Sequence, residues 1–309
     1  MLTLGARLVP PTSEPGQFTR MIYLGAVVDG LLLGAMFAGI AVGLSLIFGI
    51  ANLLNLAHGA FIVLGAYSIY ALQTSLGLGL VPSAVIAVVA AGVLGWAVYR
   101  WGGLARIASG PLLMVIVFTF GLHLVIVNGI SFFYGAQSRN LVLPAGLDDV
   151  WEVGDIIEPA SRIYGAIGGI LLTFVIDWTL KYTKLGRAIR ATRQDSDMAS
   201  VNGVNVVESY ARTMGLGCAA AAFSGALIGL GSPIDPGMGI NYLVISFAVA
   251  IIAGFGRIDA VIVGGLIYGA LLSIMQVWLS PGLGTAAAFG LLFVLLLVRP
   301  RGLFGSDFY

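Results

Sequence analysis

Polar side chains able to do chemistry are few in this chain, and three of them recur at a fixed spacing inside an apolar stretch. Asn52, Asn55 and His58 stand three apart between Gly43 and Tyr67, with Ser45 just upstream. Residues three apart share one face of a helix, and an amide or imidazole surrounded by hydrocarbon must find a hydrogen-bond partner. Two readings follow: a broken helix whose polar groups line a solute path, or a set of hydrogen bonds between packed helices.

A second polar stretch, Leu185 to Val206, carries Arg187, Arg190, Thr192, Asp195 and Gly203. It reads as a short helix with Thr192 or Asp195 capping its start and Gly203 supplying the left-handed residue that ends it. A capped helix held outside a membrane can insert into a groove on a peripheral partner; a solvated basic loop is the plainer alternative.

Other chemistries lack their parts. Ser224 with His58 or His123 as base would be the material of a hydrolase, but the serine has no elbow motif and suits small-residue packing. Asp29, Asp177, Asp235 and Asp259 fall toward the ends of apolar segments, whereas ion-coupled transport wants carboxylates at mid-membrane. Cys218 stands alone, which excludes an intrachain disulfide and a cysteine metal cluster. The chain has no Gly-x-x-x-x-Gly-Lys-Ser/Thr phosphate loop and no lysine besides Lys181 and Lys184, so ATP hydrolysis is not expected on it. No catalytic or metal-ligating set and no nucleic-acid surface is expected.

The elements that must position these residues follow from composition. Hydrophobic residues make up 59% of the 309 and charged residues 9%, against roughly 25% charged in soluble domains. Uncharged runs from Gly30 to Tyr99 and from Ala260 to Val298 each exceed the roughly 20 residues of one helical span. Segments such as Leu291 to Val298 are apolar on every face, which excludes the alternating strands of a β-barrel. The fold class is therefore all-α, a polytopic transmembrane bundle.

Nine segments are candidates, starting near Ile22, Ala57, Val81, Pro111, Ile163, Thr213, Asn241, Ala260 and Leu283. The loop 135–162 is acidic and the loop 181–212 basic, so the positive-inside rule puts the first outside and the second in the cytoplasm. Arg7 and Arg20 would lie outside if every segment crossed. A re-entrant second segment would return them inside, giving about eight spans (8–10) with one or more broken or re-entrant pieces. Ala57 to Leu72 and Asn241 to Gly256 are short, lie beside polar or glycine-rich interruptions and occupy comparable places in the two halves, which reads either as a pathway between structural repeats or as simple packing irregularity. Residues 1–20 are expected to be disordered, 21–305 to form one transmembrane domain, and 306–309 a cytoplasmic tail.

Several motifs together carry a family resemblance. They are Asn55-Leu-Ala-His-Gly-Ala-Phe-Ile-Val-Leu-Gly-Ala-Tyr67, Gly186-Arg-Ala-Ile-Arg-Ala-Thr192, Gly203-Val-Asn-Val206, Ala253-Gly-Phe-Gly-Arg-Ile258 with Gly264-Gly-Leu, and Val298-Arg-Pro-Arg-Gly-Leu-Phe-Gly305. From about Tyr23 to Gly305 the chain resembles the permeases of branched-chain amino acid ABC importers. The resemblance implies a multi-pass subunit of a bacterial inner membrane, paired with a second related permease, two cytoplasmic ATPases that hold ATP and Mg, and an external solute-binding protein. It implies no cofactor on this chain. Leu185 to Val206 would be the coupling helix, with Arg187, Arg190 and Thr192 in its leading part and Gly203 closing it. Asp195-Ser-Asp197 and Asn202 depart from the usual pattern. Related permeases also serve urea, amides and other small solutes; the Asn55 to Tyr67 segment favours leucine, isoleucine or valine.

Overall fold

A computed structural model describes residues 15–147, 149–153, 156–299 and 302–304. In order, the helices are α1 (Pro15–Ala51), α2 (His58–Leu76), α3 (Leu80–Arg100), α4 (Leu104–Ile107) and α5 (Leu112–Tyr134); then β1 (Val150–Val153) and β2 (Ile156–Pro159) form a hairpin. The second half contains α6 (Ala160–Tyr182), α7 (Lys184–Gln194), α8 (Ser196–Val201), α9 (Val206–Gly231), α10 (Met238–Ala253), α11 (Ile258–Trp278) and α12 (Pro281–Val298). Seven helices are long and apolar enough to cross a membrane, namely α1, α2, α3, α5, α6, α9 and α11; α10 and α12 are shorter apolar helices.

Backbone chemistry sets the ends. Pro111 and Pro159 precede the first turns of α5 and α6, and Pro281 opens α12, positions where a missing N–H costs nothing. Gly77, at φ 64°, ends α2 by donating its N–H to the Gln73 carbonyl. Small residues let helices touch backbone to backbone: a Cβ on Gly34 would meet the Gly265 carbonyl oxygen at 2.5 Å, and one on Gly39 would meet the Gly169 Cα at 2.7 Å. Without a hydrophobic force between helices in lipid, such close packing is the main adhesive.

Contacts at the helix ends fix which side each end occupies. Gln73, in the last turns of α2, exchanges two hydrogen bonds with Val142 in the acidic loop (2.8 and 3.0 Å). Asp29, in the first half of α1, pairs with Arg162 at the start of α6 and accepts from Ser273 late in α11. At the opposite side Gly49 of α1 lies against Gly256, between α10 and α11, and Arg193 of α7 donates to the Gly256 carbonyl. The nine apolar helices therefore alternate in direction, and α1 starts on the acidic-loop side.

This corrects one expectation. α2 begins deep in the bundle and ends at the acidic loop, so it is a broken rather than a re-entrant piece, and the amino end of α1 lies on the acidic-loop side instead of the basic-loop side that a re-entrant segment would give. α1 also starts at Pro15, so residues 15–20 are helical; residues 1–14 and 305–309, including the expected tail, lie outside the described residues. The β1–β2 hairpin, with Val150 opposite Pro159, was not foreseen in the acidic loop.

The two halves repeat in inverted sense. α1 packs along α11 as α9 packs along α3; α1 crosses α9, and α2 meets α10. The core lies where these six helices converge, with Ile40, Leu44, Phe61, Tyr67 and Tyr268 fully buried.

Candidate functional site: paired helix breaks inside the bundle

Six non-helical residues separate Ala51 from His58, and six separate Gly231 from Met238. The two breaks have the same local construction. In the first, the Asn55 side-chain oxygen accepts from Ala57 N at 3.1 Å and its carbonyl accepts from His58 N at 3.3 Å. In the second, the Asp235 carboxylate accepts from Gly237 N at 2.9 Å and its carbonyl from Met238 N at 3.2 Å. An Asx turn of this kind satisfies backbone donors that the following helix leaves orphaned.

Both helices start inside the bundle. The His58 ring places Nε2 3.0 Å from the Ile40 carbonyl. Ile40 precedes the end of α1 by eleven residues, roughly 16 Å of helix. α10 starts against α2: a Cβ on Gly59 would meet the Gly239 carbonyl oxygen at 2.2 Å, and one on Gly239 would meet the Gly59 oxygen at 2.7 Å. Two helix amino ends, each preceded by irregular backbone, thus meet within the bundle while running in opposite directions. In hydrocarbon such backbone survives only when protein or a wet cavity surrounds it.

The predicted residues divide within this frame. Asn52 is exposed at the end of α1 with φ 50°, among the described residues the one non-glycine at positive φ, and donates its N–H to the Phe48 carbonyl. It is the left-handed cap of α1. Because 52–57 is not helical, Asn52, Asn55 and His58 do not share a helical face as expected. Asn55 is buried, with its amide nitrogen 3.8 Å from the Met214 sulfur of α9. His58 is fully buried, its Nδ1 unpartnered among the described residues, as is the hydroxyl of buried Ser45. The break is also held from α5: Thr119 accepts from Leu56 N at 3.3 Å.

The second break, on the acidic-loop side, carries residues that sequence reasoning did not single out as a site. Ile234 pairs backbone to backbone with Arg139, whose guanidinium carbon stands 5.9 Å over the Tyr70 ring. Tyr134 packs against Tyr67 and Tyr70 at 5.6 and 6.0 Å between ring centroids. The turn-forming run Gly231-Ser-Pro-Ile-Asp-Pro-Gly237 was the available signal.

The basic segment forms two helices rather than one. Thr183 caps α7 by accepting from Gly186 N, and Asp195 caps α8 by accepting from Asp197 N and Met198 N at 3.0 and 2.9 Å. Thr192 caps nothing; it is buried in α7 and donates to the Ala188 carbonyl. Gly203, at φ 81°, follows α8 as expected, and Val204 N reaches back to the Ala199 carbonyl. Arg187 and Arg190 are exposed, while Ile189 and Thr192 face inward. α8 leaves Met198 61% and Val201 81% exposed, two apolar side chains on a polar surface.

A joint links this segment to the breaks. Arg193 donates to Gly256 at 3.3 Å, Gly256 touches Gly49, and the Phe48 and Phe255 rings lie 4.3 Å apart. Burial lowers the affinity of Arg193 for its proton, yet guanidinium stays charged at any working pH.

The hydrolase arrangement does not assemble around Ser224. Ser224 donates to the Ala220 carbonyl at 2.8 Å, with the Gly39 carbonyl 3.1 Å away, and bonds to no imidazole among the described residues. No group of three or more metal-ligating side chains exists among the described residues. Asp29, Asp177 and Asp259 are each ion-paired, with Arg162, Lys181 and Arg257.

Comparison with known proteins matches residues 26–301 to a family described as the permease component of branched-chain amino acid transport systems. The chain is 30% identical over 301 residues to the high-affinity branched-chain amino acid transport system permease protein LivH of Salmonella typhimurium, covering 92% of this chain and 96% of that one. It is 28% identical over 297 residues to BraD of Pseudomonas aeruginosa, with the same coverage, and 26% identical over 303 residues to a probable LivH of Methanocaldococcus jannaschii, covering 93% of each. No solved structure matches.

Proposed function

Because the chain belongs to the permease-component family of branched-chain amino acid transport systems, we propose that it forms part of the path for leucine, isoleucine or valine in an ATP-driven importer of the bacterial inner membrane. The other chains would be a second related permease, two cytoplasmic ATPases carrying ATP and Mg, and an external solute-binding protein. The observation that carries the path is the meeting of α2 and α10 inside the bundle, each led by a six-residue break. Paired, inverted, interrupted helices are how many transporters place a solute route between repeats.

In this reading Asn52, Asn55, His58 and Ser45 belong to the inner break and its surroundings, and Asp235 holds the outer one. The candidate ATPase contacts are Arg187, Arg190 and Asp195 with the exposed Met198 and Val201 of α8; Thr192 anchors α7 to the bundle and Gly203 closes the element. Closure of the ATPases would move α7 and α8 together. Arg193 and the Gly256 turn would pass that movement to the ends of α1 and α10, and hence to both breaks. No bond of the solute changes.

The chain co-assembled with its four partner chains in liposomes is expected to accumulate labelled leucine only with ATP and loaded binding protein. Uptake without the ATPases would return the ion-coupled reading, and uptake of urea with none of leucine would reverse the solute choice. Val201→Asp is expected to leave the melting temperature close to that of the parent, since exposed substitutions away from special features stay within about 0.5 kcal/mol. It should nevertheless sharply reduce co-purification of the ATPases. Full retention of the ATPases would remove α8 from the contact.

A further inference from the structure

One surface of the bundle is grooved rather than filled. α3 and α9 touch along their small residues: a Cβ on Gly95 would meet Cys218 at 2.6 Å, and one on Gly92 would meet the Ala219 Cβ at 3.2 Å. Beside that seam lie two hollows of about 320 and 370 Å³ that adjoin at Val88 and Val89. The half toward the acidic-loop side, with Leu80, Phe223 and Leu230, is apolar throughout. The half toward the basic side differs in how it ends, at Trp96, Leu185 and Arg212.

The chemistry of that end is specific. Glu208 accepts from Trp96 Nε1 at 3.2 Å and from Arg212 Nε at 2.7 Å through the same oxygen. This fixes the edge of the guanidinium and leaves its two terminal nitrogens without a hydrogen-bond partner among the described residues, on a side chain 55% exposed. Leu185, which lines the same end, follows the exposed Lys184 in a loop where six Lys and Arg stand against three acids. Trp96 lies at the junction of the apolar groove and this polar end, the level that tryptophan favours at a membrane interface. Basic pockets between helices on the positive side of a membrane protein take lipid head groups.

We propose that the basic-side half of this groove binds one anionic phospholipid. An acyl chain would lie along Val88, Val89, Val93 and Leu216, and the phosphate would be held by Arg212. Val85, Val89 and Val93 stand 57%, 58% and 59% exposed as a bare ridge on α3, which a chain lying beside them would cover. A helix from another subunit is the rival occupant. Such a helix would leave the two terminal nitrogens of Arg212 with nothing beyond the existing Glu208 pair unless it brought an acceptor of its own, whereas a phosphate supplies acceptors by default and matches the fork of a guanidinium.

The test uses the full chain in detergent, delipidated, with phosphatidylglycerol or phosphatidylcholine of identical acyl chains added back and bound lipid read by native mass spectrometry. The parent is expected to retain phosphatidylglycerol at least several-fold over phosphatidylcholine. Arg212→Gln should bring the two to parity, Arg212→Lys should keep part of the preference, and Arg106→Gln, an exposed charge on α4, should leave it intact. Val89→Trp, on the bare ridge, should lower retention of both lipids without unfolding. Equal retention by the parent, or an unchanged preference in Arg212→Gln, overturns the proposal. So does efficient cross-linking of a cysteine at position 93 to another protein chain in native membranes, which would assign the groove to a subunit.

Discussion

Substituting valine for Gly59 is expected to abolish recovery of folded protein, or to leave it with a melting temperature many degrees lower. The new Cβ would meet the Gly239 carbonyl oxygen at 2.2 Å, its carbon at 2.8 Å and the Leu243 Cβ at 3.0 Å. Two of those three atoms are backbone of the facing helix start, so no rotamer change relieves the collision. Overpacking a core costs typically about 1–3 kcal/mol, and a clash with fixed backbone belongs at or above the upper end. The same substitution at Gly121 of α5, where a Cβ meets nothing within 4 Å, is the control and should be tolerated. Yield by fluorescence-detected chromatography and a thermal melt decide it. Parent-like behaviour of Gly59→Val would mean that α2 and α10 do not meet as described, and the proposed path would lose its carrying observation.

Nine apolar helices were legible because hydrocarbon demands continuous apolar length, and charge alone separated the two large loops, which α6 holds at opposite ends of the bundle. The depth at which α2 begins was not. The spacing of Asn52, Asn55 and His58 is consistent with a helical face, but Asn52 can adopt the left-handed conformation that ends a helix, and Asn55 can bond its own following backbone. Those local alternatives compete with the helix and won. Asp235 makes the same turn as Asn55; the short, interrupted segments after them pointed to paired breaks, but the residues do not show the equivalence of the two turns. It is carried by backbone geometry and by two glycines that touch across 180 residues of sequence. Asp195 was legible as a cap because capping is local, whereas the reach of Arg193 to Gly256 depends on how α7 folds back beneath the bundle.

Removing the Arg162 side chain is expected to destabilise the outer end of the bundle by about 2 kcal/mol, and the loss should depend on pH. Arg162 bonds Asp29 of α1 and, at 3.2 Å, Glu158 of β2, while Ser273 of α11 donates to the other oxygen of Asp29. One guanidinium therefore ties α1, α6, α11 and the hairpin together. Taking one partner from a fully buried pair costs about 3–5 kcal/mol, while exposed pairs contribute about 0–1 kcal/mol. Arg162 is 36% exposed against 25% for Asp29 and 11% for Glu158, which places Arg162→Ala between those limits. Burial holds the Glu158 carboxyl above the usual carboxylate range, and Asp29 adds to that, while Arg162 pulls it down. A carboxyl raised in the fold contributes stability that is complete below its unfolded-state pKa and is lost as pH rises through its folded-state pKa. Without Arg162 the folded-state value rises further, so the variant should fall furthest behind the parent near neutral pH and recover ground as acid protonates Glu158. Arg162→Lys, which keeps the charge but not the fork, should restore part of the loss. Melting curves of parent and variants from about pH 7 down to about pH 5, across the range where a raised carboxyl titrates, measure this directly, and a deficit that stays constant over that range would show that Arg162 acts through packing rather than charge.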